Sequence, residues 1–285
     1  MKTESKSAPK MVPDHLAIIL DGNGRWAKRR GLPCLMGHRA GLRKLEEMVR
    51  LVKRRGIRYF SVYAFSTENW NRPKMEVDGL MSLFRYYIRR KVDAIRAEGG
   101  RIRFAGRRDN IPADLLEMMR WAEERTREET TIDFILCLNY GGRAEVLDAV
   151  NALVASGHSG PVTEADLRRF FYLPDVPDPD LIVRTSGELR LSNFWLWEAA
   201  YSEFYFTDIH WPDFDEAALD AATTRVEVAP VSVPQASPEP RTETAMRGIP
   251  VVEAEDPALA EPEVSDLVVR ARKILSDLPG SIAPP

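Results

Sequence analysis

Thiols, histidines and long apolar runs are scarce in this chain. Only two cysteines, Cys34 and Cys137, and four histidines stand among 285 residues. The cysteines lie far apart with no C-x-x-C pair, which argues against a disulfide framework or a zinc site and fits a reducing, cytoplasmic setting. No run of eighteen apolar residues occurs, so no segment reads as a membrane-spanning helix. The polar start from Met1 to Lys10 lacks the apolar stretch of a secretion signal. A net charge of -3 gives no electrostatic case for nucleic acid as a partner. Three catalytic signatures are also missing. Without G-x-x-x-x-G-K-[ST] there is no P-loop. Without G-x-G-x-x-G after the first strand a dinucleotide fold is weakened. Without G-x-S-x-G there is no nucleophile elbow.

What is present suits a globular protein with a sizeable core: 44% hydrophobic and 29% charged residues. Composition divides the chain near residue 222. Residues 1–12 read as a flexible tail. Residues 223–285 carry six Lys/Arg against ten Asp/Glu. Much of that stretch is Pro, Val, Ala, Glu, Ser and Thr without periodicity, which predicts disorder because too little apolar surface can be buried. Within it, residues 264–278 have the spacing of a short amphipathic helix.

Between residues 13 and 222, strand-like and helix-like segments alternate. Strands are predicted at His15–Leu20, Arg58–Phe65, Arg101–Ala105, Ile132–Asn139, Leu181–Arg184 and Phe204–Phe206. Between them Leu42, Leu45, Met48, Val49 and Val52 recur at helical spacing. Leu80, Leu83, Phe84, Tyr87, Ile88, Val92 and Ile95 form a second stripe, followed by Leu115, Met118, Met119 and Ala122. Such alternation predicts an α/β fold in a single domain: a mainly parallel central β-sheet flanked by helices.

In sheets of this kind ligands bind at the carboxyl ends of the strands, and the motifs cluster there. The first strand runs into Asp21, Gly22, Asn23, Gly24, Arg25 and Trp26. That loop offers a carboxylate for a divalent cation, with a glycine turn and a guanidinium for phosphate oxygens. The second strand runs into Ser66, Thr67, Glu68, Asn69, Trp70 and Arg72. Capping of the next helix by Thr67 or Asn69, with Pro73 in its first turn, accounts for part of that motif. The fifth strand ends at Arg184 and is followed by Arg190, Leu191 and Ser192, where two guanidiniums form a fork suited to phosphate. His38, in G-H-R-A-G, reads as a donor at the positive start of the first long helix. Glu203 suits a metal shell or an arginine partner. The run Asp175, Asp178 and Asp180, broken by prolines, reads as a loop entering a strand.

The motifs D-G-N-G-R-W, G-H-R-A-G, F-S-T-E-N-W-N-R-P, N-Y-G-G-R, R-T-S-G-E-L-R-L-S-N-F and W-P-D-F-D occur in the order and spacing of the cis-prenyltransferases. The chain most resembles the bacterial undecaprenyl diphosphate synthases, from about Pro13 to Ala222. The resemblance implies a cytoplasmic homodimer that contacts the inner face of the plasma membrane through its lipid product. It also implies Mg2+-dependent condensation of farnesyl diphosphate with isopentenyl diphosphate to a long Z-polyprenyl diphosphate used in cell-wall synthesis. By the same resemblance Asp21 handles the metal and the leaving diphosphate. Gly22, Asn23, Gly24 and Arg25 cradle that diphosphate beside Trp26 and His38. Ser66, Thr67, Glu68, Trp70 and Arg72 line the reacting centre, and Asn69 stands where a proton acceptor is assigned. Arg184, Arg190, Leu191 and Ser192 hold isopentenyl diphosphate, Glu203 completes the Mg2+ site, and the Leu80–Ile95 stripe walls the tunnel for the growing chain.

Three departures stand out. Cys34 replaces an arginine four residues before the histidine, which predicts weaker allylic diphosphate binding. Leu189 stands where a polar residue is common. No R-x-x-R-F-G segment follows W-P-D-F-D. An inactive accessory subunit of the same fold, or a synthase of another product length, are the competing readings. Retention of Asp21, Arg25, Arg184 and Arg190 favours an enzyme.

Overall fold

The structure, a computed structural model, describes residues 12–224. The candidate helix at 264–278 lies outside them. The strands are β1 (His15–Ile19), β2 (Tyr59–Ser66), β3 (Gly100–Ala105), β4 (Ile132–Tyr140), β5 (Leu181–Arg184) and β6 (Glu203–Phe206). They form one six-stranded sheet in the order β3-β4-β2-β1-β5-β6, every pair parallel. The six predicted strands are therefore all present, displaced by at most one residue at either end.

All five residues of β1 are buried, because both sheet faces are covered. Period-two alternation sends Leu16 and Ile18 to one core and Ala17 and Ile19 to the other. The first and larger core is closed by the long helices α2 (Cys34–Arg54), α3 (Lys74–Ala97) and α4 (Ala113–Arg125), with α7 (Glu216–Thr223). The predicted stripes supply it: Leu45, Met48, Val49 and Val52 from α2, and Leu80, Phe84, Tyr87, Ile88, Val92 and Ile95 from α3. The second core receives Tyr140, Phe194 and Trp195. Beyond it, α5 (Gly142–Ala155) and α6 (Glu164–Arg168) pack through Ala149 and Leu167. The short α1 (Asn23–Arg29) forms where the sequence predicted only a glycine turn.

The strand order sets the position of the site. After β1 the chain crosses to β2 on one side, whereas after β5 it crosses to β6 on the other. The carboxyl ends of β1 and β5 thus border a crevice at a topological switch point. Ile19 and Arg184 are register partners there, which brings Asp21 and Arg184 together. At the opposite end the Asp175–Asp180 segment is a loop, as read from the prolines. Asp180 accepts the backbone N–H groups of Asp14 (2.8 Å) and His15 (2.9 Å).

Two buried groups below the sheet titrate with opposite effects on stability. Burial pushes His15 down to about 4 from its ordinary 6.5, against the upward pull of the Pro177 carbonyl. The unfolded chain therefore takes up that proton first, and stability falls as pH drops from 6.5 towards 4. Burial, then the neighbouring charge of Glu145, pushes Glu198 up to about 8. The folded protein holds that proton first, so its contribution is complete below the ordinary carboxyl range and is lost as pH rises through about 8. Between pH 7 and pH 5 the two slopes oppose each other. Glu198→Gln is expected to unmask the histidine. Urea unfolding of the variant should lose about 2 kcal/mol from pH 7 to pH 5, more than the wild type loses. Equal changes in the two proteins would refute this.

Candidate active site

Asp21 sits just past β1, held from several directions. Its carbonyl accepts the Thr185 hydroxyl (2.7 Å) and the Trp211 backbone N–H (3.0 Å). Its carboxylate accepts the Gly22 N–H (2.6 Å), Arg184 Nη2 (3.0 Å) and Arg25 Nη2 (3.1 Å). Burial works against a charge here, but hydrogen bonds and charge from Arg184 and Arg25 outweigh it and hold the carboxyl below the usual aspartate range. Gly22 makes the turn with φ of 98°, and a Cβ there would stand 2.6 Å from Ser186 Oγ. Ser186 is itself fixed by a 2.7 Å hydrogen bond with His210 Nδ1.

Arg184 is 5% exposed. Its Nη1 donates to Ser192 Oγ (2.7 Å) and to the Arg190 carbonyl, while Nη2 reaches Asp21. One guanidinium thus ties the end of β5, the turn after it and the loop after β1 into a single unit. Arg190 is exposed and pairs with Glu188 (2.5 Å). Glu188 also meets Arg25 (3.3 Å).

After β2, Ser66 enters a 3-10 turn over Thr67–Asn71, and its N–H donates to Asn69 Oδ1 (3.1 Å). Neither Thr67 nor Asn69 caps α3, which Pro73 precedes without a side-chain cap; Asn69 instead completes a capping box with Ser66 inside the 3-10 turn. With its oxygen engaged, Asn69 is better equipped to donate through its amide nitrogen than to accept a proton. Arg72 Nη1 donates to Glu76 (2.8 Å).

These ends open into a cavity of about 350 Å³. Its polar mouth is lined by Asp21, Asn23, His38, Ser66, Asn69, Arg72, Arg184, Arg190 and Ser192. Its apolar depth is lined by Leu42, Leu45, Leu80, Leu83, Phe84 and Ile88, among others. Among the described residues Asp21 is the one carboxylate in that lining. The α3 stripe proposed from sequence as a wall is a wall at Leu80, Leu83, Phe84, Tyr87 and Ile88, while Val92 and Ile95 belong to the core.

Other sequence candidates stand outside the lining. Arg25 braces Asp21 and the Ser186 carbonyl (3.0 Å) from the rim. Trp26 donates to Asp213 (2.7 Å) and lies under the Arg30 guanidinium. Thr67 lies against Gly141, Glu68 accepts from Asn193 (3.2 Å), and Trp70 donates to Asn139 (2.8 Å) while packing on Phe65. Leu191 packs against the second core. These side chains support the motif loops from behind. Gly24 stands beside Cys34, whose Sγ would be 3.2 Å from a Cβ there.

Two placements differ from the sequence reading. His38 is the fifth residue of α2, which starts at Cys34 after Pro33, so it is past the helix end and meets the cavity from the side. Gly37 precedes it because α2 runs against the Asp21 loop there, and a Cβ would stand 2.0 Å from the Asn23 carbonyl oxygen. Glu203 heads β6, level with Leu181 and three register steps from Arg184. Within one chain it is at the wrong end of the strand to share a cation with Asp21.

Sequence reasoning missed Tyr63, Thr185, Ser186, His210 and Trp211. Tyr63 lines the cavity and donates to the carbonyls of Tyr140 and Ser192 (both 3.2 Å). Trp211 is fully buried and its Nε1 donates to the Gly41 carbonyl (2.9 Å). The R-T-S-G and W-P-D-F-D motifs contain three of these residues, Thr185, Ser186 and Trp211, but no local signal tells that Thr185 and Trp211 clamp Asp21.

The fold and this site define a class: a parallel α/β protein in which one cavity joins charged strand-end residues to an apolar recess. The undecaprenyl diphosphate synthase family profile matches residues 19–227, and the chain belongs to that family. The isoprenyl transferase of Thermotoga maritima is 50% identical over 206 residues, 71% of this chain and 88% of that protein. A trans,polycis-polyprenyl diphosphate synthase of Thermobifida fusca, described as (2Z,6E)-farnesyl diphosphate specific, is 50% identical over 210 residues, covering 72% and 74%. Among solved structures, lavandulyl diphosphate synthase from Lavandula x intermedia, in complex with dimethylallyl diphosphate, superposes with a TM-score of 0.71. It is 34% identical and the match covers 74% of this chain and 94% of that one. This chain is an isoprenyl transferase, acting on prenyl diphosphates.

Proposed function

We propose that the chain condenses isopentenyl diphosphate units onto farnesyl diphosphate, with Mg2+, to give a long Z-polyprenyl diphosphate such as undecaprenyl diphosphate. The observation that carries this reading is the division of one cavity into a charged mouth and an apolar recess. An allylic diphosphate has the same two halves. Mg2+ is commonly bound by one or two carboxylates together with substrate phosphates. The ionised, partly exposed Asp21 at the mouth fits that demand. Mg2+ held there would stabilise negative charge on the departing diphosphate.

The chain's own residues have separable tasks. Asn23 and His38 flank the leaving diphosphate, with Arg25 bracing Asp21. Arg184, Arg190 and Ser192 orient the diphosphate of the attacking isopentenyl unit. Ser66, Asn69 and Arg72 lie between, where the new bond forms. Leu42, Leu45, Leu83 and Phe84 receive the hydrocarbon and keep water from the allylic cation. No helix among the described residues is long and apolar enough to cross a membrane, so contact with a bilayer in this reading comes through the product.

Two copies are proposed to pair through the β6 edge. That edge strand has no neighbour on its outer side among the described residues. It exposes Phe204 (43%) and Phe206 (36%) next to Tyr201 (76%). An apolar edge of this kind is a ready pairing surface, and Glu203 belongs to it.

The test combines farnesyl diphosphate, labelled isopentenyl diphosphate and Mg2+ with the purified chain, whose mass in solution is read by light scattering. Label in chains many isoprene units long, made by a dimer, is the expected result. No incorporation at any Mg2+ concentration refutes the assignment of farnesyl diphosphate and Mg2+. Short products refute the product assignment, and an active monomer refutes the pairing.

A further inference from the structure

Three potential ligands from two helices converge beside the cavity mouth. Cys34 opens α2, His38 follows one turn later, and Glu76 lies in the first turn of α3. Cys34 Sγ, a ring nitrogen of His38 and a Glu76 oxygen all lie within 4.8 Å of one another. His38 Nε2 stands 4.0 Å from Glu76 Oε1. It is buried and has no hydrogen-bond partner. A buried, unsatisfied imidazole nitrogen is uncommon in a folded protein.

From this cluster we propose that Cys34, His38 and Glu76 bind a thiophilic divalent cation of the zinc class, with a fourth position open towards the cavity. Typical zinc bonds to sulfur, imidazole and carboxylate put neighbouring ligand atoms roughly 3.3–3.6 Å apart in a tetrahedron. From separations of up to 4.8 Å, the cluster needs a contraction of up to about 1.2–1.5 Å to meet that spacing. Cys34 is exposed at its helix start and can make the adjustment. Glu76 has a competing partner, since Arg72 donates to the same Oε1 at 2.8 Å. The cation replaces that ion pair, and Arg72 turns to solvent or to substrate.

On binding, the Cys34 thiol loses its proton to solvent and sulfur coordinates as thiolate. His38 coordinates as the neutral ring and Glu76 as carboxylate. Thiolate and imidazole select zinc over Mg2+, which prefers oxygen. The site is thus distinct from the Asp21 cation site, and the two can be occupied together. Sequence spacing argues against such a site because the ligands are one cysteine, one histidine and a glutamate 38 residues further on, without a paired-cysteine signature.

Co2+ is a spectroscopic stand-in for zinc. Titration of the full chain, without substrate and with excess Mg2+ present, should give one equivalent of bound Co2+. A thiolate-to-cobalt charge-transfer band should appear, and Zn2+ should abolish it. Cys34→Ser should lose the band and bind Zn2+ about 10-fold or more weakly, and His38→Ala should weaken binding to a similar degree. Circular dichroism checks that both variants fold. Absence of the band in wild type, its survival in Cys34→Ser, or its loss on adding Mg2+ overturns the proposal. None of these outcomes bears on the transferase reading, which is measured with substrate.

Discussion

Asp21→Ala is expected to lower kcat for isopentenyl incorporation about 1,000-fold, equivalent to some 4 kcal/mol of transition-state stabilisation. Among the described residues Asp21 is the one carboxylate lining the cavity, so in the proposed reaction no other lining carboxylate there takes over the cation and the developing charge of the leaving group. The fold should survive the change. The backbone of Asp21 keeps its bonds to Thr185, Trp211 and Ile19, and the lost side chain is only partly buried. Affinity should behave differently from turnover. Removing the carboxylate frees Arg184 and Arg25 for substrate phosphate, so KM for either diphosphate should stay level or fall while kcat collapses. That split marks an interaction made in the transition state rather than in the ground state. Asp21→Asn retains an acceptor for the Gly22 N–H and should show the same loss, which separates charge from shape. Steady-state incorporation assays on both variants, with circular dichroism as a fold control, are the measurement. A kcat within about 10-fold of wild type for either variant would remove Asp21 from the chemistry.

Most of this fold was legible because strands buried on both faces read as apolar runs. Leu16–Ile19 and Leu181–Val183 have no alternating polar residues, and the helices between them carry clear stripes. Placing Asp21, Ser66 and Arg184 at one edge followed from parallel strands alone, since every carboxyl end then points the same way. Glu203 has a place in the Mg2+ shell only by the resemblance, since it precedes the predicted Phe204–Phe206 strand and parallel strands put that end opposite Asp21. It begins its four-residue strand, level with Leu181 at the end away from Arg184. His38 was shifted because G-H-R-A-G resembles a helix start. Pro33 is the actual boundary, and Gly37 is explained by the Asn23 backbone against which the helix packs. The clamp on Asp21 was invisible for a different reason. Thr185 and Trp211 reach it across more than 160 residues of sequence, and nothing local to either encodes that contact. The Cys34–His38–Glu76 cluster depends likewise on how α2 and α3 lie together.

Arg184 is the second residue at which a large effect is expected, and its loss should be felt in two ways. Arg184→Ala removes a buried guanidinium that bridges Asp21, Ser192 and the Arg190 carbonyl. The turn after β5 then loses its anchor, and the incoming diphosphate loses a charged, preorganised donor. The expected fall in kcat/KM for isopentenyl diphosphate is about 100- to 1,000-fold. Lysine should restore little of it. An ammonium is a point charge that cannot hold the planar, forked geometry by which one side chain meets three partners. The second effect concerns pH. Arg184 helps hold the Asp21 carboxyl below its ordinary range against the opposing pull of burial. Without it the carboxylate takes up a proton at higher pH, so the acid limb of the kcat/KM profile should move upward in Arg184→Ala. It should move less in Arg184→Lys, which keeps a positive charge nearby. A pH profile of both variants separates this role from mere packing, because a side chain that only filled space would lower activity without moving the limb. An unshifted acid limb together with kcat/KM within about fivefold of wild type would show that the Asp21–Arg184 pair is not the working unit of the site.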